Sequence, residues 1–81
     1  MLTLYRKIGC PYCTRVLATA RELDLTLAEK NIADPGVADE LVALGGKRQV
    51  PFLVDDARGV SMYESGDIIE YLRANYAPAE A

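Results

Sequence analysis

Two cysteines three positions apart, Cys10 and Cys13, are the residues whose type and spacing most directly suggest chemistry. They follow the turn Ile8-Gly9 and enclose Pro11-Tyr12. Pro11 suits the first position of a helix, where its missing N–H is no loss and its φ is already near the helical value. That places Cys10 at the helix cap and Cys13 inside the first turn. The thiolate, not the thiol, is the nucleophile and the metal ligand. The unpaired N–H groups and the dipole of a helix start stabilise an anion, and Lys7 adds a positive charge just upstream. Cys10 is therefore expected to be a low-pKa nucleophile, in the ~3.5–7.5 range of such sites, with Cys13 as the resolving thiol one turn behind. A C-x-x-C within a βαβ unit is a redox signal. Three other uses of the pair compete. A structural disulfide would restrain the unfolded chain little across so short a loop. Two inert core cysteines fit poorly with Cys10 in a turn beside polar residues. Metal or iron–sulfur ligation would need a dimer or external thiols.

The remaining composition narrows the chemistry. The 81 residues include no histidine, so Ser-His and Cys-His nucleophile pairs are impossible within the chain. A tetrahedral zinc site would have to add two carboxylates or a second subunit to the two cysteines, and no metal is expected. A net charge of −3 argues against nucleic acid as a partner. The local basic clusters are Arg6-Lys7 and Lys47-Arg48. They are either solvated surface or two halves of a site for a small anion. The apolar start Met1–Tyr5 is broken by Arg6-Lys7 and is too short for a secretory h-region. No stretch approaches the ~20 apolar residues of a membrane span. The expectation is a cytoplasmic monomer with no membrane partner, in a compartment where a disulfide is more often catalytic than structural.

The elements that must position these residues can be read from periodicity. Leu2-Thr3-Leu4-Tyr5 alternates as a strand. Cys13, Val16, Leu17, Ala20 and Leu23 recur at helical spacing, giving a helix over about 11–23 with one apolar face. Leu25-Thr26-Leu27 begins a second strand that continues toward Ile32. Asp34-Pro35 signals a helix with Asp34 as cap, Val37, Leu41 and Leu44 as its stripe, and Gly45-Gly46 as its stop. Pro51–Val54 and Val60–Tyr63 read as two antiparallel strands around the turn-like 55–59. Ser65 caps a last helix whose buried face is Ile68, Ile69, Leu72 and Tyr76, and residues from Ala77 onward are expected to fray. The order βαβαββα requires the first two strands to be parallel with a right-handed crossover. The fold class is α/β: a thioredoxin-like four-stranded mixed sheet flanked by helices. Residues 1–81 form a single domain on this reading, since the chain is shorter than the ~100–200 residues of a typical domain.

Tyr5–Cys13, with its Cys-Pro-Tyr-Cys core, resembles the active-site segment of dithiol glutaredoxins, in which a lysine three residues before the first cysteine is common. About residues 1–76 are similar to that family and to the glutaredoxin-like N-terminal domain of glutathione transferases. The resemblance implies that Pro51, in Arg48-Gln49-Val50-Pro51, is cis and faces the cysteines, and that the Val50 main chain pairs with the cysteinyl part of glutathione like an added strand. A trans proline opening an edge strand would be the ordinary alternative. Tyr63-Glu64-Ser65-Gly66-Asp67 departs from the glutaredoxin pattern and opens the last helix as glutathione transferases do. There the Glu-Ser pair holds the γ-glutamyl carboxylate, and a helix N-terminus is a ready anion site. The resemblance further implies glutathione contacts at Lys7, Tyr12 and Arg48.

The expected activity is a glutathione-dependent thiol-disulfide oxidoreductase, a glutaredoxin serving electron transfer and cell redox homeostasis. Catalysis would fall to Cys10 and Cys13. Glutathione would be the co-substrate, with Lys7, Tyr12, Arg48, Val50, Pro51, Glu64 and Ser65 binding it and with no permanently bound cofactor. Disulfide-containing or glutathionylated proteins would be the partners. Two alternatives stand beside it: a redoxin reduced by thioredoxin reductase, and a non-enzymatic glutathione-binding or iron–sulfur scaffold module.

Overall fold

The apolar residues of the first strand set the architecture, because they alternate between two cores. In the computed structural model, which describes residues 1–76, β1 (Leu2–Arg6) turns Leu2 and Leu4 to one face and Tyr5 to the other. Helix α1 (Pro11–Glu22) carries the chain over to β2 (Ala28–Asn31), which runs parallel to β1 with Thr3 opposite Ala28 and Arg6 opposite Asn31. After α2 (Val37–Gly45), the hairpin of β3 (Phe52–Asp55) and β4 (Val60–Tyr63) adds to the other side of β1. Leu4 lies opposite Leu53 and Phe52 opposite Tyr63. The sheet order is β2-β1-β3-β4, and α3 (Ser65–Tyr76) returns across it. This is the thioredoxin-like mixed sheet expected from the element order.

On one face α1 and α3 cover the sheet, and Leu2, Leu4, Val16, Leu23, Leu53, Ile68 and Leu72 form its core. A fully buried aliphatic side chain of this size contributes about 1.5–3 kcal/mol. On the other face, among the described residues, Tyr5, Leu41 and Phe52 are buried together, with α2 supplying Leu41. At the end of β3 the buried Asp55 carboxylate accepts hydrogen bonds from Tyr71 (2.6 Å) and Tyr76 (2.5 Å), tying α3 to the hairpin. Burial opposes its charge. Those two hydroxyls, with the Arg58 guanidinium and the N-terminal ammonium, nonetheless hold its pKa below the usual carboxylate value.

Several local expectations shift. Leu25 and Leu27 pack against the core without joining the sheet, since β2 begins only at Ala28, where pairing with Thr3 starts. Asp34-Pro35 forms a turn rather than a helix start. The Asp34 carbonyl accepts from Val37 N–H at 3.2 Å, and Gly36 at φ 81° becomes the cap. Leu44 is 54% exposed and is not part of the buried stripe. The stop at Gly46 holds: its φ of 88° needs a glycine, and its N–H closes on the Val42 carbonyl at 2.8 Å. Gly45 answers a different demand, because a Cβ there would run into the Tyr63 and Phe52 rings. The fraying expected from Ala77 onward lies outside the described residues. Among the described residues no helix is long and apolar enough to cross a membrane.

Candidate functional site

The residues singled out from the sequence lie on loops and on the first turns of α1 and α3, at one end of the sheet. The C-terminal ends of the parallel strands β1 and β2 open there, where α/β folds place ligands. Cys10 is the N-cap of α1, with extended backbone angles of −79° and 116°. Its Sγ accepts a hydrogen bond from the Cys13 N–H at 3.4 Å, and its carbonyl accepts from Thr14 N–H at 3.1 Å. Burial alone would push the Cys10 thiol up. The backbone N–H of Cys13, the Cys13 thiol, the backbone N–H of Tyr12 and the Lys7 ammonium together outweigh it and leave the pKa lowered. Cys13 is fully buried, and its thiol is pushed up to about 11, first by burial and then by its hydrogen bond and charge interaction with Cys10. The Lys7 backbone N–H and Arg6 oppose that rise only in part. The two thiols are thus shifted in opposite directions, Cys10 down and Cys13 up.

Two hollows share Val50. One, of about 320 Å³, is lined by Lys7, Ile32, Ala33, Arg48 and Val50. Neither Lys7 nor Arg48 has an acidic partner among the described residues. The other, of about 330 Å³, is lined by Tyr12, Gln49, Val50, Pro51, Glu64 and Ser65. The Val50-Pro51 bond is cis. Ser65 is buried as the first residue of α3, and Glu64 just before it holds a φ of 72° and accepts from the Ile68 N–H at 3.0 Å. Tyr63 anchors the approach to this cleft: its hydroxyl donates to the Lys47 carbonyl at 2.7 Å and accepts from the Lys47 N–H at 3.0 Å. A larger hollow, about 460 Å³, lies away from both cysteines between the end of α1 and residues 24–29, and includes Arg21, Asp24 and Glu29.

Lys7, Arg48 and Val50 therefore come together in one hollow, and Tyr12, Val50, Pro51, Glu64 and Ser65 in the next. Cys10 and Cys13 line neither; Lys7 and Tyr12 flank Cys10 in the chain and link it to both. Sequence reasoning missed Ile32 and Ala33. The available signal was the parallel pairing of β1 and β2, which brings the residues following each strand to one edge.

A thioredoxin-like sheet with a cis proline entering β3 and a cysteine capping the first helix defines a thioredoxin-fold protein. The family is more specific. Residues 4–80 match the model of the glutathione S-transferase N-terminal domain, and the chain belongs to that family. It is similar to glutathione S-transferase 1-6 from Anopheles dirus species B, at 32% identity and a TM-score of 0.80, covering 96% of this chain and 37% of that one. Glutathione transferase E6 from Drosophila melanogaster is similar at 32% identity and a TM-score of 0.80, covering 100% and 37%. A glutathione transferase homolog from Sulfitobacter, solved with bound glutathione, is similar at 26% identity and a TM-score of 0.74, covering 94% and 37%. The chain thus spans 37% of the length of these relatives. No curated protein matches it in sequence.

These findings correct the expectation of a dithiol glutaredoxin. The family is the transferase N-terminal domain, so the thiol-disulfide oxidoreductase activity, the redox-active Cys-Pro-Tyr-Cys centre and the roles in electron transfer and redox homeostasis fall with it. The physical reason is that a cysteine at a helix start serves any chemistry that needs a stabilised sulfur anion. The second cysteine of the motif is a fully buried residue of α1. Glu64-Ser65 at the start of the last helix was the more diagnostic signal.

Proposed function

We propose that this chain is a glutathione-binding module in which glutathione lies along the two hollows with its sulfur toward Cys10. The observation that carries the reading is the charge arrangement of the cleft: Lys7 and Arg48, without acidic partners among the described residues, at one end, the α3 start at the other, and Val50 between them. Glutathione has a carboxylate at each end and a thiol in the middle. In this reading Lys7 and Arg48 hold the glycine carboxylate, and the Val50 main chain pairs with the cysteinyl unit, as strand addition allows. The Ser65 N–H and hydroxyl receive the γ-glutamyl carboxylate at the positive end of α3. Lys7 and the helix start that lower the Cys10 pKa also favour a second sulfur anion nearby. A reducing, glutathione-rich compartment such as the cytoplasm suits a free thiol at this position.

Titration calorimetry with glutathione tests the reading. The chain should bind it, and Arg48→Ala or Ser65→Ala should each weaken binding by about ten-fold or more, as expected for one lost charge-assisted hydrogen bond. Absence of binding at millimolar glutathione, or unchanged affinity in both variants, would refute it. A companion measurement compares the thiols. Iodoacetamide should modify Cys10 with a pH midpoint below the ~8.5 of an ordinary thiol. Cys13 should stay unmodified in the folded protein until the pH nears about 11.

A further inference from the structure

The segment between α2 and β3 brings Arg48, Gln49, Val50 and Pro51 to the two hollows. One residue, Tyr63, holds this segment at both ends. At its far end Phe52 is the strand partner of Tyr63, with the two ring centroids 4.5 Å apart. At its near end the Tyr63 hydroxyl donates to the Lys47 carbonyl at 2.7 Å and accepts from the Lys47 N–H at 3.0 Å. The phenol thus takes the place of a paired peptide group, and the Lys47 ammonium lies 5.6 Å from the ring centroid. Gly45 completes the fit, since a Cβ there would meet the Tyr63 hydroxyl.

Tyr63 is also the last residue of β4 and leads directly into Glu64 and Ser65 of the opposite wall. One side chain therefore joins the two walls of the cleft. Its hold matters unequally along the segment. Val50 and Pro51 adjoin β3, whose pairing with β1 and β4 fixes them without the hydroxyl. Arg48 follows Lys47 in neither a strand nor a helix, so its place depends on the phenol. A side chain that is in place only part of the time lowers the observed affinity by that fraction.

We propose that Tyr63 is a positioning residue that sets Arg48 for the carboxylate at the glycine end of the ligand, and so makes the cleft prefer the tripeptide to γ-glutamylcysteine. The inference rests on the glutathione reading above.

Calorimetry with glutathione and with γ-glutamylcysteine, which lacks only the glycine, tests it on the natural protein and on Tyr63→Phe. That variant keeps the ring and loses the hydroxyl alone. The natural protein should prefer glutathione by about ten-fold or more, the scale of one charge-assisted hydrogen bond. Tyr63→Phe should weaken glutathione about three- to ten-fold, while γ-glutamylcysteine changes less than about two-fold. In an Arg48→Ala background the same substitution should no longer change the preference, since the group it positions is gone. Hydrogen exchange gives an independent reading: the Lys47 amide should exchange several-fold faster in Tyr63→Phe, while amides in β1 keep their protection. Equal weakening of both peptides, a preference that still shifts without Arg48, or unchanged Lys47 exchange would overturn the inference while leaving glutathione binding intact. Binding of neither peptide by the natural protein, or of both alike, would overturn the glutathione reading, and this inference with it.

Discussion

The two faces of the sheet are built unequally. Beneath α1 and α3, seven buried apolar residues from four elements and the segment after α1 interlock, and Asp55 fastens the end of α3 to the hairpin. Beneath α2 the buried set is Tyr5, Leu41 and Phe52. That helix is otherwise held at its rim by Glu40, which accepts from the Tyr5 hydroxyl and pairs with Lys30 at 2.5 Å, while Val42 and Leu44 face outward. The crowded face holds the fold. The sparse face carries the loops at residues 32–33 and 48–50 that line the cleft. Local opening costs least where buried apolar contact is thinnest. The cleft therefore draws its adaptable wall from the α2 side, and its fixed wall from the starts of α1 and α3.

Truncation on each face tests that division most severely. Leu72→Ala should cost about 3–5 kcal/mol, because the interlocked α1–α3 side cannot collapse around the cavity, whereas Leu41→Ala should cost nearer ~2 kcal/mol as α2 settles inward. Urea unfolding of both variants measures the difference, and equal losses would break the comparison. Next in size is Asp55→Asn, which weakens the acceptor for two buried hydroxyls and should cost about 1.5–3 kcal/mol. The carboxylate's folded pKa is depressed, so its contribution is fully present above the ordinary ~3.9 and is lost as pH falls through the folded value. The natural protein should lose stability over that acid range more steeply than Asp55→Asn does. The smaller effect is Gly45→Ala, whose added methyl must displace the Tyr63 ring. Overpacking of this kind costs about 1–3 kcal/mol. Tyr63 grips Lys47, so this variant should weaken glutathione binding as well as lower the melting temperature. A change in melting alone would separate the cleft wall from α2.

Much of this division was legible in the sequence. The alternation in Leu2–Tyr5, the helical spacing from Cys13 to Leu23 and the glycines after Leu44 are local signals, and they marked elements correctly. Pro51, Glu64 and Ser65 were reached through a family resemblance rather than a local pattern, and the structure brings them to one hollow with the Val50-Pro51 bond cis. What failed depended on partners far along the chain. Leu25-Thr26-Leu27 alternates like a strand, but the register of β1 decides where pairing begins. Leu44 fits a helical stripe, but it stands 54% exposed at the rim of a hollow shared with Val54 and Val60. The choice of family failed for a different reason: a cysteine pair at the start of the first helix does not by itself distinguish the two families, and the match over residues 4–80 does.

The tyrosines offer an optical handle on the cleft. The chain has five tyrosines and no tryptophan, so its emission is tyrosine emission. Tyr5, Tyr71 and Tyr76 give their hydroxyls to carboxylates, which quench the excited ring by taking its proton, and the Tyr63 hydroxyl is bound to a peptide group. Tyr12 stands 57% exposed at the cleft, with no hydroxyl partner among the described residues. The bright fluorophore and the ligand-facing one are thus the same residue. Unmodified protein should report occupancy of the cleft through its own ultraviolet emission, with no dye or label attached.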